Sequence, residues 1–547
     1  MYRRGGNALG KLKKTSFLEG AFIATACIFI SKALGILYVI PFKEIVGDAG
    51  GALYSYAYNI YNVFLSISSV GIPFAISALI SKYGALGQTE KKIRLYNIAT
   101  RIISGFSILS FLICFIFSKP LAKLIIGDIE GGNTMTDVVF VIRAISFTLL
   151  IVPLLSIKRG FLQGNKFVGQ PSISQVVEQL VRVGIILVGS FLCVNVFHLP
   201  VKYAVAVSCV AAGFGGLVSF IYLTRTVHKN REELGLSTLV TKDRELDILV
   251  TRELILYAVP FVVINLANTL YSTTDMLLVL NTLPRLDFTG AETEFISSVF
   301  TTWGTKYSAI VAAVATGLIV SLIPHIVSDY TKGDRDAVNS NFNKCLKIIL
   351  FVILPLALFI SIMAESFWTV FYARNQTGIN IIRFTILVKV LDCLYIIVNS
   401  LLQSLNKKRI IFLSVLSGLI LNLALDVPFM HLFHKIGLKG YYGAILATFI
   451  GYALSNVISL SFLKHKLGFC YKETFAALPR ALLSFAVMIA LGILLRFILP
   501  IDSASRLVSV LCIAVSGVVL GGTYLCINLK TLKTVLPERL LKKLHLA

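Results

Sequence analysis

Charge is scarce in this sequence, and acid is scarcer still. Asp, Glu, Lys and Arg make up 14% of the 547 residues, and 27 acids stand against 51 Lys and Arg. Hydrophobic residues reach 56% and the mean hydropathy is +0.84, which excludes an ordinary soluble domain. No room remains for a large extramembrane catalytic domain, because fourteen spans of about 20 residues use roughly half the chain. Walker A, H-E-x-x-H and G-x-S-x-G motifs are all missing, so an ATP-driven pump or a membrane hydrolase has no visible chemistry. The nine cysteines contain no C-x-x-C and have no His at ligand spacing, so they read as small packing residues. Asp334-Arg335-Asp336 imitates a glycosyltransferase D-x-D, but it sits in a short charged loop and reads as solvated.

Long apolar runs fill the rest. Segments of helical length fall at 18–42, 52–81, 98–118, 138–157, 172–195, 203–224, 253–280, 299–328, 346–365, 380–403, 410–429, 441–463, 476–499 and 507–529. The first follows Arg3, Arg4, Lys11, Lys13 and Lys14 and is too long for the core of a cleaved signal, so it is expected to be a retained span. With the N-terminus inside, alternate connections hold 34 Lys and Arg on one side against nine on the other. This asymmetry predicts a multi-pass cell-membrane protein with both termini cytoplasmic, and it accounts for the net charge of +24 without any nucleic acid.

The chain is expected to be an all-α polytopic membrane protein of fourteen transmembrane helices, built as two six-helix pseudo-repeat lobes plus two C-terminal helices. The first lobe spans residues 1–226, a cytoplasmic linker 227–252, the second lobe 253–468, and the last two helices and tail 469–547. Two short passages suggest the repeat. Leu162-Gln163-Gly164-Asn165-Lys166 resembles Leu402-Gln403-Ser404-Leu405-Asn406-Lys407, and Ile80-Ser81-Lys82-Tyr83 resembles Val327-Ser328-Asp329-Tyr330. Both pairs lie on the same side of the membrane, so the repeat is parallel, an arrangement found in transporters with the substrate site between the halves.

Charged residues inside spans are the functional candidates, because each costs about 2.5 to 3.5 kcal/mol at mid-bilayer and calls for a partner or an aqueous cavity. Lys32 sits mid-span with no acid within a turn, and Lys306 lies about two turns in from the outer face of span eight. Each either lines a cavity or snorkels to an interface. Glu178 with Arg182 is an i,i+4 pair on span five, and Lys389 with Asp392 an i,i+3 pair on span ten, so both read as self-satisfied ion pairs. Asp275 and Asp426 have no cation on their own helices. Asn422 lies one turn before Asp426, giving oxygen ligands of the kind hard cations use, with a helix-packing hydrogen bond as the alternative. Gly71 and Pro73 permit a kink in span two, and Tyr54, Tyr56, Tyr58 and Tyr61 either line a wet surface or, the favoured reading, form an interfacial belt.

The passage Ile30-Ser31-Lys32-Ala33-Leu34-Gly35 through Tyr38-Val39-Ile40-Pro41-Phe42, then Gly47-Asp48-Ala49-Gly50-Gly51, Gly71-Ile72-Pro73, Gln163-Gly164 and Pro171-Ser172-Ile173-Ser174-Gln175 to Glu178-Gln179, resembles the MurJ lipid II flippases of the MOP exporter superfamily. Within it the likeness is to the Gram-positive YtgP/SpoVB-like branch, and it covers essentially the whole chain.

The resemblance implies a MurJ/MATE-like fold and a transporter, not an enzyme, that moves an undecaprenyl-diphosphate-linked peptidoglycan precursor from the inner to the outer leaflet. Lys32 and Lys306 fall on the family's cavity arginines and would hold the diphosphate, here as point charges without the bidentate fork of arginine. Asp275, Asn422-Leu423-Ala424-Leu425-Asp426 and Thr448 fall on its sodium site. Coupling to sodium or to membrane potential, no organic cofactor, and partners comprising the lipid-linked oligosaccharide, membrane lipids and the cell-wall synthesis machinery follow from the same likeness. Export of another lipid-linked oligosaccharide or of a sporulation-specific precursor stays open, with a multidrug cation antiporter or a membrane glycosyltransferase as more distant alternatives.

Overall fold

A computed structural model of the chain describes residues 27, 30–127, 132–167, 169–236 and 243–535. The N-terminal cations, most of the predicted first span before residue 30, Asp128 and Glu130, linker positions 237–242 and the tail from 536 lie outside the described residues. Among the described residues the chain is helical with no strand. In chain order the helices are α1 (Val39–Leu65), α2 (Gly71–Ala85), α3 (Thr89–Ile116), α4 (Ser118–Ile126), α5 (Met135–Ser146), α6 (Val152–Gly164), α7 (Gly169–Phe191), α8 (Val201–Lys229) and α9 (Arg244–Thr282). They continue with α10 (Gly290–Ser298), α11 (Thr305–Thr331), α12 (Arg335–Ile348), α13 (Leu354–Ile362), α14 (Ala364–Phe371), α15 (Gln376–Ser404), α16 (Lys408–Lys435), α17 (Tyr441–Leu467), α18 (Lys472–Ile498) and α19 (Arg506–Val535).

Ten helical stretches among the described residues are long and apolar enough to cross a membrane, against the fourteen apolar segments of the sequence. The other four segments, 18–42, 52–81, 299–328 and 380–403, are helical where described. Their surfaces suit a bilayer better than water. Only 11% of the most apolar window of Gly169–Val196 is buried, and Phe497, Leu507 and Val518 of the last two helices are 84%, 78% and 75% exposed. Apolar exposure on this scale is stable only against lipid. With every backbone group in such a segment bonded within its own helix, hydrocarbon can surround it.

Two local breaks shape the first unit. At Gly47 the backbone turns to φ 67° and ψ −166°, so Val39–Val46 and the rest of α1 are two helices joined at a corner. Glycine reaches that conformation without a Cβ penalty. The kink expected near Gly71 and Pro73 is a π-helical turn, Ser66–Val70, between α1 and α2. Such a bulge leaves part of the i→i−4 ladder unmade, and Ser66 and Ser68 Oγ compensate by donating to the Val63 and Phe64 carbonyls.

Contacts divide the chain into two compact units, residues 1–273 and 274–547. The division falls inside α9, not in the linker predicted at 227–252, because α9 runs unbroken through the end of that linker and the whole seventh span. The first unit is packed around Ala75, Leu79, Tyr83, Leu95, Leu155, Phe161, Leu162 and Leu223. In the second, α18 and α19 are held to the α13 region by Phe351, Phe485, Met488 and Tyr524, whose hydroxyl donates to the Phe351 carbonyl at 3.0 Å.

Matching helix ends mark the repeat. Phe167 N donates to the Leu162 carbonyl at 3.0 Å and Lys166 N to that of Gln163 at 2.9 Å, while Lys407 N donates to Leu402 and Asn406 N to Gln403, both at 2.9 Å. Lys166 and Asn406 carry the positive φ of this cap, 67° and 56°. The second passage also closes alike but one residue out of the sequence match: Gln88 N reaches the Tyr83 carbonyl at 2.9 Å, and Asp334 N reaches that of Asp329 at 3.1 Å, with Gly87 and Gly333 at φ 68° and 76°. Tyr83 therefore corresponds to Asp329 and not to Tyr330. Replacing Gly87 or Gly333 by Ala is expected to cost ~1 kcal/mol, and replacement by Asn less, since only the backbone conformation is at stake. Melting of the purified variants in detergent checks this; an unchanged midpoint for both alanine variants would contradict the cap.

Candidate functional site

The first unit gathers its charge around α6 and α7. Glu178 does not bond Arg182. Its Oε2 takes Nη2 of Arg159 at 2.7 Å, and Arg159 Nε donates to Ser174 Oγ at 2.9 Å. Arg182 donates from Nη2 to Tyr58 Oη at 2.7 Å, with its guanidinium 5.1 Å from the Tyr58 ring centroid. Spacing of i,i+4 sets Glu178 and Arg182 on one face, but a neighbouring helix offers each a better-aligned partner. The tyrosines are not an interfacial belt either. Tyr54, Tyr56 and Tyr61 are buried, Tyr54 and Tyr58 stack at 4.3 Å, and Tyr38 Oη lies 3.4 Å from Tyr54 Oη. Of this aromatic cluster Tyr58 lies against Arg182, whose Nε is buried with no hydrogen-bond partner. Lys32 is half-buried one turn before Gly35, a position so close to α7 that a Cβ there would meet Gln179 Nε2 at 3.3 Å.

In the second unit, Lys306 is half-buried in the first turn of α11, just after a π-helical turn, Val299–Trp303. Below it Tyr307 Oη donates to the Phe367 carbonyl at 3.1 Å and Tyr372 Oη to that of Trp303 at 3.2 Å, a rigid aromatic floor. Lys389 and Asp392 form the expected i,i+3 ion pair on α15, with Asp392 buried. One ionic cluster has no warning in the spacing of charges. Buried Glu365 receives Arg383 from α15 and Arg496 from α18 on the same oxygen. The only signal was an acid inside the apolar run Ile362-Met363-Ala364-Glu365-Ser366-Phe367-Trp368.

The four oxygen-bearing residues nominated on three different helices meet. Thr448 Oγ1 of α17 lies 3.0 Å from Asp275 Oδ2 of α9, and Asn422 Nδ2 of α16 lies 3.3 Å from Thr448 Oγ1, 3.4 Å from Asp275 Oδ1 and 3.5 Å from Asp426 Oδ1. Asn422 and Asp426 are wholly buried and Asp275 is 8% exposed. Asn422 Oδ1 and Asp426 Oδ2 have no hydrogen-bond partner, and neither carboxylate has an ion-pair partner among the described residues. Two carboxylates so enclosed call for a cation or a shared proton, because burying uncompensated charge is costly. Asp275, Asp426 and Thr448 offer oxygen alone, and Asn422, which faces them with Nδ2, would complete an all-oxygen set suited to a hard cation if its amide presented Oδ1.

An all-helical chain of two packed units, with lipid-exposed apolar helices and polar clusters sealed inside each unit, has the architecture of a polytopic membrane transporter. The comparisons agree. The chain belongs to the polysaccharide biosynthesis protein family, which matches residues 17–316. It is 31% identical over 502 residues to "Lipid II flippase MurJ" of Bacillus subtilis, covering 88% of each chain. Among solved structures it resembles lipid II flippase MurJ in an inward closed conformation, with TM-score 0.65 and 15% identity over 92% of this chain and 99% of that one. It is equally similar in fold to an inward-facing multidrug resistance MATE family transporter of the MOP superfamily, at TM-score 0.65 and 12% identity over 81% and 99%.

The exchange of partners at Glu178 is open to a double-mutant cycle on stability. Glu178→Gln with Arg159→Gln is expected to show a coupling of about 1 kcal/mol or more, whereas Glu178→Gln with Arg182→Gln should add to within about 0.5 kcal/mol. The reverse ranking would restore the i,i+4 pair.

Proposed function

We propose that this chain is a flippase for lipid II, carrying an undecaprenyl-diphosphate-linked peptidoglycan precursor from the inner to the outer leaflet by alternating access. The observation that carries the proposal is the 31% identity, over 88% of both chains, to a protein named for that activity. Lys32 and Lys306 would bind the diphosphate. Both are half-buried in apolar helices, where a phosphate oxygen is a natural partner for an ammonium. The membrane potential favours the direction: each negative charge leaving a negative interior is worth about 2.3 kcal/mol per 100 mV.

Asp275, Asn422, Asp426 and Thr448 would hold a sodium ion. Their oxygens fit it, and the two buried oxygens without partners are the supporting observation. Bound there, sodium would supply the countercharge that two enclosed carboxylates need. Both termini would be cytoplasmic, as the 34 to nine division of Lys and Arg between the two sides supports. Lipid II delivered to the outer leaflet must be consumed by polymerising enzymes, so contact with the cell-wall synthesis machinery belongs to the same proposal.

Reconstitution with lipid II and an enzymatic probe of its outer-leaflet exposure tests the activity. The double variant Lys32→Ala, Lys306→Ala should lower exposure at least tenfold at equal protein content. Wild-type rates in that variant would remove the diphosphate role, and movement of a different undecaprenyl-linked oligosaccharide but not of lipid II would replace the substrate. For orientation, the native thiol of Cys470 is exposed between α17 and α18. An impermeant maleimide should label it in inside-out vesicles and not in intact cells, with the label lost in Cys470→Ser; labelling from outside would invert the topology.

A further inference from the structure

The carboxylate cluster sits at one end of a line of buried polar groups. Along α17, Thr448, Tyr452, Asn456 and Ser459 recur at three- and four-residue intervals on one face and cover about 16 Å of helix axis. Leu391 and Tyr395 of α15 touch them, and Asn399 and Gln403 continue that row at four-residue intervals. The two rows touch: the Tyr395 and Tyr452 rings are 5.5 Å apart, and Asn456 Nδ2 donates to the Leu391 carbonyl at 2.9 Å. Several polar atoms along this line lack a partner. Asn456 Oδ1, Ser459 Oγ, Asn399 Oδ1 and Gln403 Nε2 are all buried atoms without a hydrogen-bond partner, and Asn456, Ser459 and Asn399 are 4%, 0% and 1% exposed. Buried polar atoms in native proteins are satisfied, and where the protein supplies no partner the partner is water or an ion.

The first unit provides the contrast. The shared cap aligns Leu162 with Leu402 and Gln163 with Gln403, so Arg159 occupies the place of Asn399. There the polar position is closed from α7, the counterpart of α16, by the Ser174 hydroxyl and the Glu178 carboxylate. In the second unit the equivalent position is a neutral amide with an open acceptor. At the place of Tyr395, α6 carries the apolar Leu155.

We propose that the α15–α17 seam is a hydrated conduit that connects the Asp275–Asp426 cluster to the cytoplasmic side and carries a monovalent cation to and from it. It rests on the coupling-cation reading and on the orientation given above. Amide and hydroxyl oxygens spaced about a turn apart replace a cation's hydration shell stepwise, without a fixed countercharge to trap it. The seam ends beside Gln403 and the last turn of α17, which carries Lys464, His465 and Lys466.

Thiol accessibility in the full-length chain tests this. Ser459→Cys and, independently, Asn399→Cys are reacted with a small water-soluble methanethiosulfonate from the cytoplasmic face of inside-out vesicles, and the modified peptide is quantified by mass spectrometry. The comparison is Leu463→Cys, a wholly buried position on the same helix as Ser459, one turn nearer the cytoplasmic end. A conduit requires the thiol introduced at Ser459 or at Asn399 to react at least tenfold faster than the thiol introduced at Leu463, although it lies deeper than that reference or level with it. Reaction at both reporters no faster than at the Leu463 position overturns the conduit, and if one variant does not fold the other decides. The cation reading is read separately, as a sodium-dependent rise in the melting temperature of the unmodified chain that Asp426→Asn abolishes. Its absence would sink the sodium site whatever the thiols do.

Discussion

Hydrocarbon offers no hydrogen bond to a stranded charge, and every polar feature of this chain is arranged around that fact. An ionic group inside a span must find its partner within the protein, because the desolvation cost is not recovered from the surroundings. Arg159 therefore reaches Glu178 across two helices, and Glu365 collects Arg383 and Arg496 from two others. These contacts tie helices that apolar packing alone would leave free to slide, since lipid tails are as apolar as leucine and give helices little reason to prefer one another. Arg496 in particular ties α18, most of whose surface is apolar and exposed, to the α14–α15 region.

The same constraint explains why the carboxylate cluster and the aromatic stack differ in kind. Arg182 is held by a phenol and by ring faces, partners that neutralise nothing but solvate well. Asp275 and Asp426 share an amide and a hydroxyl, which together cannot offset two negative charges. Arg182 is solvated in this way at Nη2, while its Nε is left without a partner. Two enclosed carboxylates stay uncompensated unless they take up a cation or share a proton.

Helices and their approximate ends were legible because the bilayer demands about 20 apolar residues per span. The positions of the unusual charges were legible for the same reason, as exceptions to that demand. Partners were not. A spacing of three or four residues says which face a side chain occupies and nothing about which helix lies opposite, so Lys389 with Asp392 was found and Glu178 with Arg182 was misassigned. Asp275, Asn422 and Asp426 stood out as polar groups inside spans, but Thr448 and the grouping of the four came from a family likeness; no periodicity within one helix could have joined three. The tyrosines misled because an amphipathic ring is equally at home at an interface and around a buried guanidinium. The one-residue slip between Tyr83 and Tyr330 arose because four-residue look-alikes fix no register, whereas the hydrogen bonds of the helix end do.

That register carries a further consequence. Two helices that end in the same cap at corresponding residues share a backbone over their last turns, so the differences there lie in side chains. At Arg159 the first unit places a cation and seals it with a carboxylate; at the equivalent Asn399 the second places an amide and leaves its acceptor open. Sealing fixes a helix pair, because separating the charges would strand both in hydrocarbon. An open amide costs little to rearrange when water is at hand and much when it is not, so its persistence in a buried seam argues that water reaches it.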